Sequence, residues 1–145
     1  MLEENNAKDE LRRIDHLLFV TLKYTRTVDI IKSIIEKFVL ALNYQTEEIY
    51  EQMLENKKIS NIPPVPLVRV KGLEQLYPKD KVVKDIVDYY VMLKKIINSD
   101  HRKREEYRKN VTLVTPDKEV NIERLKEYSK ITTDYVHYLR GLIHE

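Results

Sequence analysis

The chain has 145 residues, of which 34% are charged, and a formal net charge of only +2. This size fits one ordinary domain, and the near-neutral balance excludes polyanion binding through a strong overall field. The absence of Cys excludes disulfide bonds, zinc–thiolate sites and cysteine nucleophiles. We recognise no signal peptide and no apolar run near 18 residues, so we expect a cytoplasmic protein without a membrane partner. Abundant Lys, Glu and Ile without Trp are typical of a thermophilic or archaeal protein.

The stretch Asp9–Asn43 contains no Gly and no Pro, and its apolar residues recur at helical spacing. The pattern predicts one unbroken helix about 50 Å long, with at most a slight bend near residues 24–27. Residues 1–8 are polar, and we expect them to be disordered. The apolar series that defines the helix face is Leu17, Tyr24, Val28, Ile31, Ile35, Phe38 and Leu42.

The next part of the chain alternates short helices with breaks. Acidic residues after Thr46 predict a second helix that starts there and ends near residue 57. The three prolines in residues 62–66 predict an extended connector, because each ring fixes φ and removes a donor. Residues 67–77 are predicted to form a short helix that is interrupted at Gly72.

The last third of the chain mixes two helices with a turn-rich segment. Asp80 is predicted to open a helix that either kinks at the cap-rich residues 98–100 or ends there and restarts at His101. β-Branched residues around a Pro-Asp turn predict a small hairpin near 111–121, after which Asn121 caps a final helix. The sequence therefore predicts an all-α protein: a single domain, 1–145, that is an antiparallel up-and-down bundle of four or five helices, with a long first helix and one small hairpin.

Ten Tyr against two Phe is an unusual bias. The ordinary interpretation is that Tyr fills the edge of the core while its hydroxyl reaches water or a partner. Base stacking is the alternative, and it requires exposed rings.

The sequence carries no complete enzyme motif. Its two glycines, Gly72 and Gly141, do not form a phosphate-binding loop. The four histidines, His16, His101, His137 and His144, lack metal-ligand spacing, since His137 and His144 are seven residues apart. We therefore predict neither a metal nor a cofactor.

One constellation remains, the segment from His101 to Asn110, called here the basic segment. Five cations fall within eight of its residues: Arg102, Lys103, Arg104, Arg108 and Lys109. On a helix, Arg104 and Arg108 would share a face with His101, and Glu105 and Glu106 would pair with Arg108 and Lys109. One interpretation is a solvated, salt-bridged face. The other is a phosphate-contacting patch, in which Arg forks hold non-bridging oxygens.

The long first helix, the bundle and the late Arg-containing polar segment resemble the HEPN superfamily. The resemblance implies an all-helical, commonly dimeric protein, either a metal-independent endoribonuclease or a module that binds RNA or nucleotide. Catalytic members carry an Arg followed by a His after four to six residues, near a helix end. Here Asn110 stands at the His position after Arg104, and Asn cannot exchange a proton near neutral pH.

Three hypotheses follow from these patterns. The first is a HEPN-like module that binds RNA or nucleotide through the basic segment and is catalytically weak or inactive. The second is a homodimeric structural or interaction protein without a ligand. The third is a metal-independent ribonuclease, in which His101 transfers the proton and Arg104 or Arg108 stabilises the phosphorane. The candidate catalytic residues are Arg104, Arg108, Asn110 and His101.

Overall fold

The structure is a computed structural model that describes residues 6–143. Helix α1, Ala7–His16, begins after Asn6, whose side-chain oxygen accepts a hydrogen bond from Asp9 N–H at 2.9 Å. Ala7 and Lys8 are therefore helical, although we expected residues 1–8 to be disordered. For residues 1–5 that prediction lies outside the described part of the chain.

The prediction of one unbroken helix from Asp9 to Asn43 is wrong. α1 continues through a π-helical turn, Leu17–Thr21, into α2, Leu22–Tyr24, and the helix then stops. Thr25 leaves helical geometry with φ −131° and ψ 84°, and Thr27 is extended and caps the next helix by accepting from Ile30 N–H. β-Branched residues favour extended backbone and a Thr hydroxyl is a good N-cap, so the chain turns where only a bend was expected.

The long helix of this protein is α3, Val28–Glu55, about 42 Å at 1.5 Å per residue. It packs against α1 and against the three helices that follow it in the chain, and it is the centre of the fold. The helix start predicted at Thr46 is also wrong, because α3 runs through Asn43, Gln45 and Thr46 without a break. Two of these polar residues form side-chain hydrogen bonds, and the Gln45 amide donates to the Glu48 carboxylate at 3.2 Å. Asn43 accepts a hydrogen bond from the Tyr90 hydroxyl at 2.7 Å.

The non-helical connector before α4, Pro66–Leu76, is confirmed for residues 62–65, but Pro66, which was assigned to the connector, is the first residue of the helix. Proline is well suited to this position because the first N–H of a helix has no partner within it. The interruption predicted at Gly72 is wrong, since Gly72 lies inside α4. A Cβ at this position would be 2.4 Å from the Tyr50 hydroxyl oxygen, which donates to the Arg69 carbonyl at 2.7 Å. Glycine is present because α4 approaches Tyr50 closely and not because the helix ends.

The rest of the chain follows the predicted order. α5, Lys81–Asn98, begins after Asp80 as expected, and α6, Ile122–Ile143, is capped by Asn121, which accepts from Arg124 N–H at 2.8 Å. The predicted hairpin is confirmed as β2, Thr112–Val114, and β3, Glu119–Val120. A further strand, β1, Arg102–Arg104, was not predicted and completes an antiparallel sheet of order β1-β2-β3.

The described residues thus form a mostly helical fold with a small three-stranded sheet near the C-terminal end, which confirms the predicted fold class. The core lies between α3 and the helices around it, and Val111, Leu113 and Val120 join the sheet to this core. Within residues 6–143, no helix is long and apolar enough to cross a membrane.

Candidate functional site: the basic segment

The basic segment forms strand β1 and the loop after it, and the helix considered for it is wrong. β1 pairs antiparallel with β2, with Lys103 opposite Leu113 and Arg104 opposite Thr112. His101 directly precedes β1, and three residues of extended backbone span about 10 Å, so His101 and Arg104 are not neighbours as they would be on a helix. Arg104, Arg108 and His101 therefore do not share the helix face on which the sequence analysis placed them.

Lys103 points to the same sheet face as the buried residue Leu113. Its ammonium group reaches past the sheet edge to two carboxylates, Asp29 at 3.5 Å and Glu106 at 3.7 Å. Lys103 therefore ties the sheet to the N-terminal turn of α3.

Arg104 points to the other face and pairs with Glu119 at 2.5 Å. The hydrogen bond from Arg104 lowers the pKa of the Glu119 carboxyl below its ordinary value, and the same bond raises the pKa of the guanidinium. The predicted pairing of Glu105 and Glu106 with Arg108 and Lys109 is wrong, because that pairing assumed helical spacing. Glu106 instead pairs with Lys103.

The loop after β1 is joined by two hydrogen bonds to the turn between α2 and α3. Val28 N–H donates to the Glu106 carboxylate at 2.7 Å, and Tyr107 N–H donates to the Arg26 carbonyl at 2.7 Å. The Glu106 carboxylate thus serves as a negative charge and an acceptor at the N-terminus of α3. Sequence reasoning missed this role, since the two partners are 78 residues apart and no local motif joins them. We call the two hydrogen bonds, Val28 to Glu106 and Tyr107 to Arg26, the Arg26–Tyr107 junction.

The junction holds the loop in an unfavourable backbone conformation. Glu105 has φ 54° and Tyr107 has φ 68°, a left-handed region that bulky L-residues seldom adopt. Such strain persists only where surrounding contacts determine the backbone, and it concentrates at functional sites. The Tyr107 side chain, at one of these strained positions, is 73% exposed.

Three cations of the segment, Arg102, Arg108 and Lys109, make no ion pair with any residue in the range 6–143 and are exposed. Asn110 is exposed as well, and its carbonyl accepts from the Thr112 hydroxyl at 2.7 Å. The structure therefore divides the predicted cations into two that are paired, Lys103 and Arg104, and three that are not.

His101 lies apart from the unpaired cations of the loop. It is half-buried and lines a shallow groove of about 230 Å³ together with Arg102 and Thr115. Arg104 does not line this groove, because its side chain is held by Glu119. The four candidate catalytic residues, His101, Arg104, Arg108 and Asn110, are thus spread over a groove, a strand and a loop.

The other histidines give no indication of a metal centre. His16 and His137 are exposed, and His144 lies outside the described residues. Among residues 6–143, no group of three His, Asp or Glu side chains is arranged to hold a metal ion.

Comparison of the chain with protein-family models, curated proteins and solved structures finds no significant match. The HEPN resemblance stays a prediction. The Arg of its motif lies in strand β1, and Asn110 lies in the following turn, where the resemblance implied a helix end. The argument for function therefore depends on the geometry of the basic segment itself.

Proposed function

We propose that this protein binds RNA through the phosphate backbone, using the basic segment. Arg102, Arg108 and Lys109 are the contacting groups, because they are exposed and no described acidic side chain neutralises them. An Arg fork donates two parallel hydrogen bonds to phosphate oxygens, and Lys adds a point charge. Such contacts hold the backbone and carry no sequence information.

The observation that carries this proposal is the location of two of the three unpaired cations, Arg108 and Lys109, in the strained loop. Arg108 and Lys109 directly follow Tyr107, whose positive φ is maintained by the Arg26–Tyr107 junction. A solvated face needs no strained backbone, whereas a preorganised binding loop has a use for one. The paired residues Lys103 and Arg104 then act mainly as structural supports.

The test is a titration of a labelled single-stranded RNA between about 50 and 200 mM salt. The variant Arg102→Ala/Arg108→Ala/Lys109→Ala removes the three unpaired cations. The control Arg124→Ala/Lys126→Ala/Lys130→Ala removes three exposed cations of α6 that are ion-paired. Both variants have a formal net charge of −1 against +2 for the wild type.

The first variant should bind weakly, and its slope of log K against log salt should be less negative by about 2, or about 0.7 for each lost phosphate contact. The control should bind nearly as the wild type does. Equal losses in both variants would indicate a general charge effect, and no wild-type binding at low salt would refute the proposal.

We propose binding without cleavage, since His101 lines a groove that does not include Arg104. General acid–base catalysis needs the proton-transfer group within hydrogen-bond reach of the reacting atoms. The same RNA, incubated with the protein in EDTA, should stay intact. Cleavage that disappears in the Arg104→Ala variant would instead support the ribonuclease hypothesis.

A second proposal, the homodimer, is favoured by a separate surface. Phe19 and Val20 lie in the π-helical turn and are 55% and 44% exposed. π-Helical turns are rare and occur frequently at functional sites, and adjacent exposed apolar side chains are typical of interfaces. Sedimentation should show a dimer that Phe19→Ser/Val20→Ser converts to a monomer. A monomeric wild type at micromolar concentration would exclude this proposal.

A further inference from the structure

We infer that Tyr24 and Tyr107 form a stacking platform for unpaired bases, which makes single-stranded RNA the ligand class of the basic segment. This inference rests on the proposed function and deepens it. It concerns the aromatic rings, whereas the proposed function concerns the cations, so the two can fail separately.

The exposure of these two rings is exceptional within the protein. All ten tyrosines fall in the described range, and seven of them are buried or packed against the core. The Tyr138 hydroxyl donates a hydrogen bond to the Asp80 carboxylate at 2.6 Å. Within the described residues, the side chains of Tyr24 and Tyr107 neither pack against the core nor form a hydrogen bond, and they are 81% and 73% exposed. The two interpretations of the Tyr-rich composition therefore apply to different residues, and the stacking interpretation fits only this pair.

The two rings belong to segments that are held together. Tyr107 N–H donates to the carbonyl of Arg26, which is only two residues beyond Tyr24. Standard backbone dimensions then place the two Cα atoms no more than about 14 Å apart. One short stretch of nucleic acid can reach both rings.

The backbone around both rings is fixed before any ligand binds. Tyr24 is the last residue of α2, and the two hydrogen bonds of the junction hold the loop that carries Tyr107. Preorganisation of this kind lowers the entropic cost of binding. Neither ring has a described packing role that explains its position.

Cations lie beside both rings, as a single-strand site requires. Lys23 is exposed and precedes Tyr24, while Arg108 and Lys109 follow Tyr107. Proteins that bind single strands combine such charges with aromatic faces on which successive bases stack. A duplex keeps its bases stacked inside, so it can use the cations but not the rings.

The experiment compares two probes, a uridine oligonucleotide of about 12 nucleotides and an RNA duplex of similar length, in binding titrations at low salt. The variants are Tyr24→Ala, Tyr107→Ala and the conservative Tyr24→Phe/Tyr107→Phe, which keeps both rings. Both side chains are exposed, so circular dichroism should show that every variant folds.

Each Tyr→Ala change should weaken binding of the single strand about tenfold and change duplex binding less than twofold. The double Phe variant should bind both probes about as the wild type does. Single-strand binding that is unchanged in both Ala variants would overturn the stacking inference. Equal losses for both probes would do the same. If the triple cation variant loses binding while the Ala variants do not, the proposed function stands and only this inference falls. If the wild type binds neither probe, both fall.

Discussion

Helices α5 and α3 begin for different reasons. α5 is capped by the residue just before it, since Asp80 accepts hydrogen bonds from Val82 and Val83 N–H at 2.9 and 3.0 Å. α3 begins after Thr27 but also receives the carboxylate of Glu106 from far along the chain. The comparison shows that the local cap at Asp80 is visible in the sequence, whereas the support that Glu106 gives to the start of α3 is not.

Gly72 shows the same contrast between local and remote causes, and its substitution should have the largest effect on stability. Ala is a better helix former than Gly by about 1 kcal/mol, so local propensity alone favours Gly72→Ala. The new Cβ would lie 2.4 Å from the Tyr50 hydroxyl oxygen, so the hydroxyl must move and lose its hydrogen bond to the Arg69 carbonyl. We expect Gly72→Ala to lower the free energy of unfolding by about 2 kcal/mol, measured by urea denaturation.

Tyr50→Phe provides the control for this substitution. Without the hydroxyl, the nearest Tyr50 atom to the new Cβ is the ring carbon at 3.7 Å, an ordinary contact. In that background Gly72→Ala should be neutral or stabilising. If Gly72→Ala destabilises both backgrounds equally, Tyr50 is not the reason for the glycine.

Glu106 allows the remote helix start to be tested directly. Glu106→Ala removes the acceptor of Val28 N–H and the partner of Lys103, so we expect a loss of about 1.5 kcal/mol in the free energy of unfolding. Glu105→Ala is the matched control. It removes the same charge from the adjacent, exposed position and should change stability by no more than about 0.5 kcal/mol. Similar losses in the two variants would contradict the capping role of Glu106.

Substitution of Asp80 should have the smallest effect on stability, and that effect depends on pH. Partial burial acts to raise the pKa of the Asp80 carboxyl, but hydrogen bonds from Tyr138, Val83 and Val82 outweigh it and hold the pKa below its ordinary value. A carboxyl with a lowered folded-state pKa stabilises the protein above the unfolded-state pKa. That stabilisation is lost as the pH falls through the folded-state pKa.

Asp80→Asn keeps the cap, since Asn is as good an N-cap residue as Asp, and removes the titration. At neutral pH the variant should lose only a few tenths of a kcal/mol, because solvent screens much of the charge that is removed from the helix N-terminus. Denaturation midpoints should converge with those of the wild type as the pH falls below about 4. A constant difference at every pH would exclude a contribution from Asp80 ionisation.

Local chemistry accounts for the parts of the fold that were predicted correctly. Asp80 and Asn121 were recognised as helix starts because their side chains cap the next turn. Pro63 and Pro64 excluded a helix before α4, and the Pro-Asp turn indicated the hairpin. In each case the partners of the signal lie within a few residues of it, so that a sequence pattern contains the whole interaction.

The candidate site was predicted in composition but not in arrangement. The sequence identified the cations of the basic segment, yet it assumed helical spacing for residues that form an edge strand and a loop. Lys103 and Arg104 pair with Asp29 and Glu119, which only the pairing of β1 with β2 and the turn before α3 brings near. The exposed position of Tyr107 was not predicted, because positive φ at a Tyr has no sequence signal.

The sequence by itself determined that this protein is helical, that the segment between α5 and α6 contains a hairpin, and that positive charge concentrates at residues 102–109. These follow from apolar periodicity, turn chemistry and residue type, all of which act over a few residues. Tertiary structure decided why Gly72 lies inside a helix, which cations stay unpaired and which two tyrosines face solvent. Those outcomes depend on contacts between distant residues, whose energies no local pattern records.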